Sequence, residues 1–178
     1  MTFYTAKQGV AFPEQPLSEH TDRLSDPARL AALDATGVMD TPSEDVFDRT
    51  VRLATTMLGV PVGLVSFVGE ARQFFKAQCG LTKDISETPL SHSFCQYVVA
   101  HDMTLAVSDA RDHPLLRDNL AVPDLGVVAY LGVPIHAPTG ETIGSFCAID
   151  DQPRNWTDKD IEGLTDIAAM LETELKLR

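Results

Sequence analysis

Three cysteines, Cys79, Cys95 and Cys147, and a polar run containing Asp109, Arg111, Asp112 and His113 are where this chain could do chemistry. Cys95 falls near the start of a short apolar segment with Phe94 and Val98. A helix N-terminus lowers a thiol pKa and favours the nucleophilic thiolate, whereas a cysteine in such a segment also packs well as a small hydrophobe. Asp109 and Arg111 have two readings as well. In a tight turn they bond to local backbone, and at the mouth of an apolar cavity they orient a polar ligand. His92 and Cys95, three apart, would share a helix face, yet two ligands without a third and fourth make no zinc site. Ser91, His92 and Asp109 can be recited as a triad, but near neighbours in sequence rarely meet its geometry and no nucleophile elbow is present. Gly126, Gly132, Gly140 and Gly144 have neither P-loop nor dinucleotide-binding spacing. The residues therefore offer no catalytic triad, no complete set of zinc ligands and no phosphate-cradling loop.

Composition narrows the classes further. The 178 residues suit one domain with a substantial core. No apolar run approaches the roughly 20 residues of a membrane span, and Met1 to Phe12 lacks the basic start and apolar middle of a secretory signal. A net charge of −12 repels phosphate backbones and anionic lipid, which argues against nucleic acid or a membrane as partner. The cysteines are odd in number, widely spaced and without a CxxC, as expected of reduced thiols in the cytoplasm.

The elements that would position these residues follow from pattern. Residues 1–25 mix prolines, Gly9 and scattered polar residues without periodicity and are expected to be an extended or partly disordered tail. A single domain is expected over 26–178. Asp26-Pro27 is a helix start, with Leu30 and Leu33 on one face and a stop near Gly37. Thr41-Pro42-Ser43-Glu44 reads as a capping threonine, an N1 proline and an N3 glutamate. Phe47, Val51, Ala54 and Leu58 then repeat at helical spacing up to Gly59 and Pro61. Val62–Val68 and Arg72–Gln78 form a hairpin about Gly69-Glu70. A loop from Leu81 to Pro89, a short helix over Ser91–Ala100, a strand at Leu105–Val107 and an irregular piece with one helical turn over Arg111–Asp124 come next. Val127–Ile135 pairs through Thr139-Gly140 with Thr142–Ile149, and Thr157 caps a last helix with Asp160 at N3. This is an α+β order, with an antiparallel sheet covered by helices on one face and loops on the other.

Strings along the chain resemble a known family. Arg29-Leu30-Ala31-Ala32-Leu33, Asp40-Thr41-Pro42, Gly59-Val60-Pro61, Arg72-Gln73-Phe74-Phe75-Lys76, Glu87-Thr88-Pro89, Ser93-Phe94-Cys95, Asp109-Ala110-Arg111, Tyr130-Leu131-Gly132-Val133-Pro134 and Gly144 to Asp150 follow the order found in GAF domains of bacterial sensor histidine kinases and diguanylate cyclases. The resemblance implies a central antiparallel sheet with the N- and C-terminal helices on one face and pocket loops on the other. It also implies a regulatory role without catalysis, a small-molecule ligand of unknown identity, and a kinase or cyclase output domain in a two-component or related signalling system. Together with the polar cluster it places Phe94, Cys95, Val98, Asp109, Arg111, His113, Tyr130 and Cys147 at the ligand pocket. Some relatives attach a bilin through a cysteine of this region, commonly followed by histidine. Gln96 stands in that place, so no bilin is expected. Other relatives are free methionine sulfoxide reductases with cysteines clustered at the pocket loop, which makes a redox role for Cys95 with Cys79 the alternative. Finally, Ile161, Leu164, Ala168, Leu171 and Leu175 have the spacing of a coiled-coil seam, and a homodimer through this helix and the one at Pro27–Thr36 is expected, with Leu171→Glu plus Leu175→Glu yielding folded monomers.

Overall fold

The computed structural model describes residues 14–82 and 84–178. Helix formation follows the caps read from sequence at most ends. Asp26 accepts from the Ala28 N–H at 2.9 Å and starts α2 (Pro27–Ala35). The apolar repeat of α3 (Asp45–Leu58) buries Phe47, Val51, Ala54 and Leu58, and Gly59 ends the helix in the left-handed region at φ 62°. α6 (Asp158–Lys176) opens with a reciprocal capping box between Thr157 and Asp160.

Two starts differ from expectation. Thr41 does not cap α3, because its hydroxyl donates to the Val38 carbonyl and accepts from Lys76 Nζ at 2.6 Å, and the helix begins after Glu44. Lys76, almost wholly buried, needs that oxygen together with the Pro42 carbonyl and the Glu44 carboxylate, each within 2.7 Å. Part of the expected tail is also ordered: α1 (His20–Leu24) is a five-residue helix whose Leu24 is buried. Its length is too short for propensity to hold it. The buried Arg29 guanidinium does so, donating to the carbonyls of Arg23 and Leu24 on one side and Val68 and Gly69 on the other. Residues 1–13 of that tail lie outside the described residues.

The strands are β1 (Val62–Val68), β2 (Arg72–Cys79), β3 (Glu87–Pro89), β4 (Leu105–Val107), β5 (Ala129–His136) and β6 (Thr142–Asp150). They form one antiparallel sheet in the order β3-β2-β1-β6-β5-β4, so β3 lies within what reads as a loop. A register shift after Val65 lets Ser66 face Phe75. Alternation then divides the sheet. Val65, Phe67, Leu131, Val133, Phe146 and Ala148 join α2, α3 and α6 in one apolar cluster. Leu64, Val68, Phe75, Tyr130, Cys147 and Ile149 join α1, α4 (Cys95–His101) and α5 (Ala121–Leu125) in the other. The α+β arrangement with terminal helices on one face is the one expected, and three short helices share the opposite face with the loops.

The stripe Ile161, Leu164, Ala168, Leu171 and Leu175 is buried against the chain's own sheet and α3. It is a core face, because one domain-covering helix uses the same spacing as a dimer seam. Leu171→Glu and Leu175→Glu would place carboxylates in that core, and folded monomers are not the expected result.

Candidate functional site

On the loop side of the sheet, Leu64 of β1, Gln73 and Phe75 of β2, Tyr130 of β5 and Ile149 of β6 form a floor. Phe94 and Cys95 at the start of α4 form one wall, and Ala121 and Leu125 of α5 form another, with His92 at the rim. The space they enclose is about 30 Å³. That volume holds a water molecule or two, so a larger ligand must part the walls.

The polar groups around this space are tightly committed. Gln73 donates to Thr88 Oγ1 at 2.8 Å and to the His92 carbonyl at 3.3 Å, while its Oε1 accepts from Ser66 at 3.0 Å and Ser93 at 2.8 Å. α5 hangs from the same turn: Asn119 Nδ2 and the Leu120 N–H donate to the Ser93 and Ser91 carbonyls, both at 3.0 Å. His92 Nε2 lies 2.6 Å from Asp124 of α5, and its Nδ1 3.0 Å from Ser91 Oγ. These bonds fasten α5 to the turn that precedes α4.

Behind the wall lies a sulfur and hydroxyl cluster. Cys95 Sγ sits 3.2 Å from Tyr130 Oη and 4.0 Å from Cys147 Sγ, and Tyr130 Oη is 3.2 Å from Ser145 Oγ. Phe94 meets the Tyr130 ring edge-on with centroids 5.2 Å apart. The Cys147 S–H, and after it the Tyr130 hydroxyl, hold the Cys95 thiol down to about 7 against the cost of burial. Ser66 contributes little, because its proton is donated to Gln73 Oε1. Burial pushes the Cys147 thiol and the Tyr130 phenol up.

Of the residues singled out from sequence, Phe94, Cys95 and Tyr130 line the cavity, Cys147 lies 4.0 Å behind the Cys95 sulfur, and Val98 belongs to the same apolar cluster. Asp109, Arg111 and His113 are not among its lining residues. Asp109 instead accepts from the Arg111 backbone N–H and from both arms of its guanidinium, which holds the carboxyl below the usual range. His113 is buried, and its Nδ1 accepts from the Leu115 N–H at 3.0 Å. Cys79 packs toward the cluster on the opposite face of the sheet from Cys95, so the pairing of those two is not what the fold brings together. Sequence reasoning missed Gln73 and Phe75, which alternation from β2 puts on the floor, and weighed His92 only as a metal or triad residue, since its partner Asp124 is 32 residues away. Among the described residues no three of His, Cys, Asp and Glu converge to hold a metal ion.

A family profile described as GAF domain matches residues 42–175. This chain belongs to the GAF domain family. Among proteins similar to this GAF domain is a cyclic di-GMP phosphodiesterase of Pseudomonas aeruginosa, 34% identical over 146 residues, which are 82% of this chain and 23% of that protein. The chain thus spans less than a quarter of that relative. Among solved structures, the GAF domain of a phosphoenolpyruvate-protein phosphotransferase from Coxiella burnetii has a TM-score of 0.63 at 16% identity, covering 83% of this chain and 92% of that one. The free methionine-R-sulfoxide reductase of Neisseria meningitidis, solved with its substrate, has a TM-score of 0.61 at 19% identity, covering 82% and 84%. At such identities the likeness is one of fold. No helix among the described residues is long and apolar enough to cross a membrane.

Proposed function

We propose that this GAF domain is a regulatory module of a cytoplasmic signalling protein, and that a small molecule taken into the cavity beneath α5 changes the position of its terminal helix. The observation that carries this reading is a polar connection between pocket wall and terminal helix. α4, whose first residue Cys95 lines the cavity, ends at Asp102 in the left-handed region. Asp102 accepts from Thr142 and from His136 Nε2, both at 2.7 Å, and His136 Nδ1 lies 2.8 Å from Glu172 of α6. A ligand that moves α4 therefore moves a group bonded to α6, on the far side of the sheet. The curated relative is named for an output activity that acts on cyclic di-GMP, which supports an attached phosphodiesterase, cyclase or kinase as the recipient of that motion.

The homodimer belongs to the same proposal. The α6 stripe is used internally, so its contact surface is the exposed trio Leu53 and Met57 of α3 and Met170 of α6. Met57 lies directly over Gly163 of α6, and Glu44 pairs with Arg178, so the two helices run antiparallel and bring the trio onto one face.

Native mass spectrometry of the purified protein, before and after incubation with a metabolite library, tests the ligand. A bound mass that disappears in Ala121→Phe, a variant that fills the cavity, is the expected result. No bound mass in either experiment overturns the reading.

A further inference from the structure

The sulfur pair is left over once the cavity has been read as a ligand site, and it lies against the cavity wall. We infer that Cys95 and Cys147 are a redox pair, which a peroxide no larger than the cavity converts to a disulfide by entering between α5 and the sheet. This goes beyond ligand sensing and does not depend on which ligand binds. Three features of the structure carry it. The sulfurs are 4.0 Å apart, so one shift of about 2 Å brings them to bonding distance. Cys95 lines the cavity and Cys147 stands behind it, which separates a residue that meets the oxidant from one that resolves the product. The cavity of about 30 Å³ admits hydrogen peroxide, which is close to water in size, without parting its walls, whereas a bulkier oxidant must part them.

The steps balance. Cys95 sulfur, its proton lost, attacks the O–O bond of hydrogen peroxide. One oxygen stays on sulfur as sulfenic acid, and the other leaves as hydroxide and takes up the proton to become water. Cys147 sulfur then displaces the sulfenic hydroxyl, which departs with the Cys147 proton as a second water. The two thiols lose two electrons and two protons, and one peroxide becomes two waters. Tyr130, at 3.2 Å from Cys95 Sγ, is placed to donate a hydrogen bond to the thiolate during the first step. The low pKa of Cys95 relative to Cys147 suits the same division of labour.

The alternative is that both cysteines are simply well-packed small hydrophobes. Graded hydrogen peroxide followed by denaturing alkylation and peptide mapping separates the two. The expected product is lighter by two hydrogens, links the Cys95 and Cys147 peptides, and leaves Cys79 alkylated. In Cys147→Ser the reaction should stop at a Cys95 sulfenic acid that dimedone traps. tert-Butyl hydroperoxide should react about tenfold more slowly or worse, because it does not fit the closed cavity that leads to the buried Cys95 thiol. Should Cys79 oxidise while the pair stays fully alkylatable, or should the two peroxides react equally fast, the inference is overturned. Cys147→Ala retains the apolar packing, so a sulfenic acid found there and in Cys147→Ser cannot be ascribed to a misfolded serine variant.

Discussion

His136 and Glu172 are joined twice through a single carboxylate oxygen. Glu172 Oε1 lies 2.8 Å from His136 Nδ1 and accepts from the His136 backbone N–H at the same distance. The ring's other nitrogen reaches Asp102 at 2.7 Å, so the imidazole is held between two carboxylates. Asp102 foremost, and Glu172 after it, raise the His136 pKa to about 9.

This arrangement sets a direction for pH dependence. The unfolded chain has histidine near pKa 6.5. A pKa raised on folding contributes stability that is complete below about 6.5 and lost as pH rises through about 9. Both carboxylates are partly exposed, so the contribution is on the order of 1 kcal/mol. Urea unfolding midpoints of the wild type should fall across that window relative to His136→Gln. Parallel curves for the two proteins would show that folding does not raise the His136 pKa.

Arg29 has no carboxylate within ion-pair distance among the described residues, and its partners are four backbone carbonyls. Arg29→Ala strands those acceptors and should cost roughly 2–4 kcal/mol. Arg29→Lys should not restore it, because one ammonium cannot span α1 and the β1–β2 turn together. Hydrogen exchange should show His20–Leu24 unprotected in both variants, and protection there equal to wild type would refute the role given to Arg29.

How legible these features are in the sequence depends on how local their causes are. The Thr157–Asp160 capping box, the Asp26 cap and the α3 repeat involve residues within one or two turns, and all three can be read directly. α1 has no such signal, since its support comes from Arg29 and from a 3.1 Å bond between His20 and Gln96, 76 residues away. The same holds for the site. Phe94, Cys95 and Tyr130 sit in recognisable strings, whereas the meeting of Cys95 with Cys147 depends on sheet register, in which Cys147 lies opposite Leu64 and Gly132. Asp109 and Arg111 show the reverse case: residues two apart in a turn pair with each other and lie outside the lining of the cavity.

The two sides of α6 should respond oppositely. Leu171 is fully buried and Met170 is 58% exposed. Leu171→Ala should destabilise by about 2–5 kcal/mol, and Met170→Ala should stay within about 0.5 kcal/mol of wild type. Light scattering adds the assembly readout: Met57→Glu with Met170→Glu should give folded monomers, and a dimer that survives both changes would place the contact elsewhere.

Gly132 leaves room for the Tyr130 ring. A Cβ at position 132 would come within 2.4 Å of Tyr130 Oη. Gly132→Ala should therefore displace the phenol from Cys95 and cost about 1–3 kcal/mol. Combined with Tyr130→Ala, it should cost much less than the sum of the two single changes. Strict additivity in denaturant melts would show that the ring and the glycine do not interact.

The order of strands carries a consequence for how the molecule comes together. β1-β2-β3 and β4-β5-β6 are each local meanders, but the central pair joins Val62 to Ile149 and Phe67 to Gly144 across nearly half of the chain. Closing so long a loop is entropically unfavourable, and such contacts slow folding. The cavity needs both halves, with Leu64 and Phe75 from one and Tyr130 and Ile149 from the other. It exists only after that central seam has closed, so neither half alone can recognise a ligand. Whatever fills it binds the finished fold and draws the whole folding equilibrium toward completion.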